Sequence, residues 1–354
     1  MIYKSRQGKP LVPPETAESA PSPGVPRRRF LGLVAAASLA AFGNGAAAAA
    51  LRPLRWRGTV MGAPATITLY SPDGKRAETG LQTVLSEIEA LESVFSLSRA
   101  ESALSRLNRL GELDDAPHAL TQLLARCDEL HEASAGAFDP TVQPLWTLYA
   151  EHFSRPDAAL DGPTDARITT ALAQVGFARV VRDGRSVRCH GTQVTLNGIA
   201  QGYLTDRARD ILAAYGMPHA LINLGEFRAL GARPDGTAWR LGITHPEVPW
   251  RTLAEVQLPA GAALATSASM GTPFDTAGRY HHLLDPRTGR CAHGWRSVTV
   301  RAPDATLADG LSTALAVAPQ SEAARILAHY PGTGALLLGN DEKLYAMGDS
   351  LIQG

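Results

Sequence analysis

Residues 176–215 read GFARVVRDGRSVRCHGTQVTLNGIAQGYLTDRARDILAAY, and the change of periodicity inside this stretch decides the fold class. Residues 177–181, 186–189 and 193–196 are short runs with strand character, the first two separated by Asp183-Gly184, a dipeptide suited to a tight hairpin turn. After Asn197-Gly198 the pattern becomes helical, from about Ala200 to Tyr215. The same mixture extends in both directions. Upstream, residues 54–70 alternate Ala65, Ile67 and Leu69 with Thr66 and Thr68 and carry Met61-Gly62-Ala63-Pro64 in the middle, which reads as a hairpin. Residues 75–94 place Leu81, Val84, Leu85, Ile88 and Leu91 at helical spacing. A second helix is expected over 119–134, broken by Gly136-Ala137-Phe138-Asp139-Pro140. Downstream, strands are expected at 220–223, 239–243, 254–258, 264–267, 280–284 and 297–301, helices at 307–317 and 322–330, and a last hairpin at 335–338 and 343–346. The order is neither strictly alternating nor all-β, so the class is α+β, with one large domain of mixed sheets and helices over residues 51–354.

With 45% hydrophobic and 19% charged residues in 354, the chain is neither disordered nor a multi-span membrane protein. Its formal charge of zero is unevenly placed. Residues 1–29 hold six basic and two acidic side chains, which leaves the part from Leu51 onward at −4. A weakly acidic body argues against nucleic acid as a partner, because phosphate binding needs a basic face. Arg27-Arg28-Arg29-Phe30-Leu31 precedes an Ala-rich apolar stretch ending at Ala50 and resembles a twin-arginine export signal. Ala and Gly gain little from burial in lipid, so residues 1–50 read as a cleaved signal rather than a permanent span, and the periplasm is the expected location. Cys127, Cys189 and Cys291 form no CxxC pair and read as small buried apolar side chains.

Three motifs carry chemistry. Asp309 and Thr313, four apart on one helix face, could offer two oxygens to one hard cation, although an Asp near a helix start is more often a cap. His281-His282 lead into the turn Asp285-Pro286-Arg287-Thr288-Gly289, and histidine is the side chain best suited to proton transfer near neutral pH. If that segment is extended, the two histidines point to opposite sides. Asn197-Gly198-Ile199-Ala200-Gln201-Gly202-Tyr203 is a Gly-bounded helix start whose free N–H groups could meet an anion, or simply begin a helix.

Together these motifs resemble the ApbE family of FAD-dependent protein FMN transferases, from about Arg57 to Ala346. The landmarks run in family order: Met61-Gly62; Phe95-Ser96 with Ser102, Leu104 and Asn108; Gly136 to Thr141; Gly198 to Tyr203; Gly225-Glu226; Ala265-Thr266-Ser267; His282 to Gly289; and Asp309 to Thr313. The resemblance implies a flavin cleft in which Met61, Asp139, Gln201, Glu226, Thr266, Ser267 and His282 border FAD. It also implies Mg²⁺ held by the Asp309 and Thr313 side chains and the Ala200 carbonyl, with His282 as the catalytic base. The implied reaction splits FAD, releases AMP and joins FMN to a Thr or Ser hydroxyl of an acceptor flavoprotein.

This chain departs from the family pattern at four places: Gln201 where Lys is common, Ala63 where Thr is common, Leu224 where Gly is common, and Ala268-Ser269 where Gly-Asp is common. Gln201, the export signal and the run Gly225 to Gly231 resemble a NosX-like group linked to nitrous oxide reductase maturation, whose expected acceptor is a NosR-like membrane redox protein. The alternatives are a non-catalytic periplasmic flavin carrier and an FAD pyrophosphatase.

Overall fold

The computed structural model describes residue 51 and residues 53–351; the expected signal segment lies outside them. The chain opens with the expected hairpin of β1 (Pro53–Val60) and β2 (Ala63–Tyr70). Its two-residue turn has φ of 49° at Met61 and 83° at Gly62, the turn geometry whose twist matches paired strands. Helix α1 (Gly74–Phe95) starts at Asp73, whose side chain accepts the Arg76 N–H, and buries Leu81, Val84, Ile88 and Leu91. Then follow α2 (Ala103–Leu110), the short β3 (Glu112–Leu113), α3 (His118–Ala133), α4 (Gln143–Ser154) and α5 (Asp165–Leu172). Next come β4 (Val180–Asp183) and β5 (Ser186–Cys189), which with β3 make a three-stranded sheet.

The second half carries α6 (Ala200–Ala214), β6 (His219–Asn223), β7 (Phe227–Leu230), β8 (Trp239–Thr244), β9 (Thr252–Leu258) and β10 (Ala263–Ala268). It ends with β11 (Ser297–Ala302), α7 (Ala305–Val317), α8 (Ala323–Ala328), β12 (Gly334–Leu338) and β13 (Leu344–Gly348). The central sheet has the order β1-β2-β6-β7-β10-β11-β12-β13, and its strand pairs are antiparallel. Alternation along its strands feeds two cores. Ala265, Val298, Val300, Ala335 and Leu337 face the helices, while Phe227, Ala229, Leu264 and Leu336 meet Trp239, Leu241, Val256 and Leu258 of the β8–β9 hairpin. A third cluster joins Leu145, Leu148, Tyr149 and Ile168 of α4 and α5 to Leu284 and Cys291. Helix α7 is buried almost all round, between the sheet and α6, as a helix apolar on every side must be.

The mixed α+β architecture is as expected, and most elements fall where their periodicity placed them. Three expected strands do not form as read. Residues 177–179 make a 3₁₀ turn before β4. Residues 193–196 join no strand: the Asn108 carboxamide donates to the Val194 carbonyl at 2.8 Å and accepts the Val194 N–H at 2.7 Å, and the Thr195 N–H donates to the Pro140 carbonyl at 2.8 Å. Residues 280–284 form only isolated bridges, Pro273 with His281 and Leu284 with Cys291. Helices α2, α4 and α5 and strands β3 and β7 had no assignment from the sequence. The three cysteines are buried and free, and no helix among the described residues is long and apolar enough to cross a membrane.

Candidate active site

A cleft of about 320 Å³ opens beside the β1–β2 turn, between α6, α7 and the ends of β6, β7 and β10. Met61, Asp139, Ala200, Gln201, Glu226, Thr266, Ser267, His282, Asp309 and Thr313, the residues singled out in the sequence, all line it. They arrive from separate elements spread over some 250 residues, so only the packing of α6 and α7 on the sheet brings them together.

Asp309 is not a helix cap. That role in α7 belongs to Asp304, which accepts the Leu307 N–H at 2.8 Å, while Asp309 sits in the helix interior. Its Oδ2 instead accepts the Gly202 N–H at 2.9 Å, in the first turn of α6, where free donors and the helix dipole favour a carboxylate. Burial nevertheless pushes its pKa up to about 7. Glu226, held by the Thr266 N–H at 3.1 Å, is pushed well above the usual carboxylate range by burial and by the nearby Asp309 charge. Among the described residues no Lys, Arg or His forms an ion pair with either acid, so each is relieved by taking up a proton, as its raised pKa shows, or by a cation bound in the cleft.

Neutral oxygens surround that position. Thr313 Oγ1 donates to the Gly198 carbonyl at 3.3 Å and lies 3.3 Å from Ser267 Oγ, which in turn bonds Ser312 Oγ at 2.7 Å. Gly198 is required there, since a Cβ would fall 2.9 Å from Thr313 Oγ1. No three His, Cys, Asp or Glu side chains cluster as a metal site among the described residues. A carboxylate with hydroxyl and carbonyl oxygens is the donor set of a hard, partly hydrated ion, so the residues fit Mg²⁺ and do not fit zinc.

His282 reaches the cleft from the loop before β11, its backbone N–H donating to the Thr272 carbonyl at 3.1 Å. Burial lowers its pKa to about 4, so the ring is neutral at neutral pH and able to accept a proton, and an anionic ligand would raise that value. His281 faces away from the cleft and is 1% exposed, its ring edge-on to His293 at 5.3 Å. Burial holds His281 neutral as well, at about 3.

The other walls are braced from behind. Asp139 Oδ1 accepts both the N–H and the hydroxyl of Thr141, whose Oγ1 accepts the Gly176 N–H at 2.7 Å, and burial raises the Asp139 pKa. Met61, in its left-handed conformation, donates its N–H to Glu92 Oε1 at 2.6 Å, and Glu92 is paired with Arg99. Gly225 has a φ of 116°, and a Cβ there would strike the Gln201 carboxamide at 2.3 Å, so the turn and Gln201 fit each other only with glycine.

A family model described as the ApbE family matches residues 61–337. The chain belongs to the ApbE family. It is 32% identical over 312 residues to an FAD:protein FMN transferase of Treponema pallidum, covering 81% of this chain and 84% of that relative. With an enzyme of the same name from Vibrio cholerae the identity is 33% over 255 residues, covering 69% of this chain and 74% of that one. Among solved structures, the flavin transferase ApbE of Vibrio cholerae superposes with a TM-score of 0.73 at 27% identity, over 84% of this chain and 97% of that one. The ApbE protein of Thermotoga maritima gives 0.74, also at 27% identity, over 84% and 97%.

In this ApbE-family chain the cleft also has walls that sequence reasoning missed: Trp146 from α4, Asn223, and Gly242 to Thr244 from β8. A signal existed only for α4, where Leu145, Leu148 and Tyr149 have helical spacing behind Pro144, which suits the first turn of a helix. Of the departures from the family pattern, Ala63 and Ala268 line the cleft, whereas Leu224 is buried in the main core.

Proposed function

We propose that this ApbE-family enzyme is an FAD:protein FMN transferase that moves FMN from FAD onto a Thr or Ser hydroxyl of an acceptor flavoprotein and releases AMP. The observation that carries the reading is the pair of buried acids in the cleft, Asp309 on α7 on the same helix face as Thr313 and Glu226 between β6 and β7, neither ion-paired with a cationic side chain among the described residues, in the same cleft as a neutral His282. FAD is the substrate in that cleft. Its fit rests on the concave shape of the cleft and on a largely apolar lining interrupted by a few polar side chains.

Asp309, Thr313 and the Ala200 carbonyl would hold Mg²⁺, which when bound neutralises charge on the pyrophosphate. The protein's own part is small. His282 takes the proton of the acceptor hydroxyl as its oxygen attacks the phosphorus on the FMN side; the P–O bond to the bridging oxygen breaks, and AMP leaves with that oxygen. The Gly202 N–H keeps the Asp309 carboxylate aimed into the cleft, and the Thr272 carbonyl fixes the backbone of His282. Periplasmic location, through Arg27 and Arg28, belongs to the same reading, as does an acceptor of the NosR-like membrane type in nitrous oxide reductase maturation; cell fractionation of a chain with both arginines changed to Lys tests the export.

The test is incubation of the purified protein with FAD, MgCl₂ and a candidate acceptor domain, read by acceptor mass and AMP. One FMN added per acceptor, lost in a folded Asp309→Ala variant, supports the proposal. AMP and free FMN without labelled acceptor would make it a pyrophosphatase, and FAD binding without either product a carrier.

A further inference from the structure

Trp146 stands out among the cleft walls. It lines the cleft with Val142, four residues earlier and on the same side of the α4 start, and it is only half-buried. Phe138 and Phe227, the other cleft-lining residues with large aromatic rings among those described, are 4% and 9% exposed, so their surface is already spent on the cores. The remaining described tryptophans, at 56, 239, 250 and 295, do not line the cleft.

The plane of the indole is set from behind. Trp146 packs edge-to-face with Phe274 at 5.7 Å and 68°, Phe274 stacks on Tyr149 at 5.8 Å and 17°, and the fully buried Tyr149 donates its hydroxyl to the Gly289 carbonyl at 3.1 Å. A ring fixed in this way is a preorganised surface for a second flat ring, since little side-chain freedom is lost when the ligand arrives. FAD carries two such rings, adenine and isoalloxazine. We infer that Trp146 is a stacking platform for one of the two planar rings of FAD. The inference rests on the reading of FAD as the substrate of this cleft.

The experiment is calorimetric titration of the whole protein with FAD, FMN and ADP in EDTA, without acceptor, comparing wild type with Trp146→Leu and Trp146→Phe. Base–aromatic stacking sets the expected size: Trp146→Leu weakens FAD by about 5-fold or more, and weakens only one of FMN and ADP, which identifies the ring. Trp146→Phe, which keeps a flat face, stays within about 3-fold of wild type. Unchanged FAD affinity in Trp146→Leu overturns the inference while leaving the substrate reading intact, and equal weakening of FMN and ADP overturns it as mere distortion of the cleft. Wild-type protein that binds none of the three sinks both. If Trp146→Leu fails to fold, Trp146→Phe decides by fluorescence: saturating FAD quenches less tryptophan emission than in wild type if the indole lies against the ligand, and equal quenching counts against it.

Discussion

Gly202→Ala is the sharpest probe of how α6 and α7 hold the site. A Cβ built at Gly202 falls 2.2 Å from the Ala305 carbonyl oxygen and 2.8 Å from Asp309 Cβ. Carbon–oxygen contacts normally begin at about 3.3 Å, so the helices must separate by about 1 Å. Ala gains at most about 1 kcal/mol over Gly from helix propensity. Overpacking costs about 1–3 kcal/mol, and here the obstacle is backbone that cannot rotate away, which puts the cost at the upper end. Strain wins by about 1–2 kcal/mol, a fall of about 2–4 °C in Tm for a domain of this size. The same separation stretches the 2.9 Å bond from the Gly202 N–H to Asp309, so transfer should fall by about tenfold or more, beyond what the stability loss explains. Thermal unfolding and acceptor labelling read the two effects. Gly74→Ala, at the start of α1 with nothing within 4 Å, is the control and should be neutral. A Gly202→Ala protein with wild-type Tm and wild-type transfer would refute the close-packing argument.

Other perturbations separate the remaining roles. His282→Asn should keep FAD affinity and lower transfer by about two to four orders of magnitude, the range for losing a positioned base, whereas His281→Asn should leave transfer nearly intact because that ring faces away from the cleft; equal damage from both counts against a catalytic His282. His281 should show itself in stability instead. Its pKa falls from 6.5 to about 3 on folding, so the unfolded chain binds the extra proton in that window; the stabilising contribution is full above pH 6.5 and is lost as pH drops toward 3. Urea unfolding of His281→Phe should therefore lose stability less steeply between pH 6.5 and 4 than wild type, and identical slopes would refute the burial argument. Asn108→Ala leaves the Val194 N–H and carbonyl without partners and should cost about 2 kcal/mol in denaturant unfolding; a change under about 0.5 kcal/mol would mean that water replaces the carboxamide.

The chemistry of the site was legible wherever it depends on neighbours in sequence. Asp309 and Thr313 share a helix face because of the 3.6-residue turn, and His281 and His282 diverge because extended backbone alternates its side chains, although no regular strand forms there. The hairpin at Met61-Gly62 was readable from alternation on both sides of a glycine, but not the left-handed φ of Met61, which the two-residue turn imposes. Helix α4 was hidden because Pro144 reads as a breaker unless it is known to occupy the first turn.

By itself, then, the sequence determined which segments are amphipathic and with what period, the α+β class, and the residue types capable of metal, flavin and proton chemistry, since these follow from local backbone geometry and side-chain chemistry. Tertiary structure alone decided that Asp309 bonds the first turn of α6 instead of capping its own helix, that Glu226 shares its buried environment, that Asn108 bonds the backbone of Val194, and that Trp146 joins the cleft. Each of these depends on groups far apart in the chain meeting at a particular distance. Local periodicity fixes which side of an element is buried, whereas the partner it meets there is chosen by packing the whole core at once.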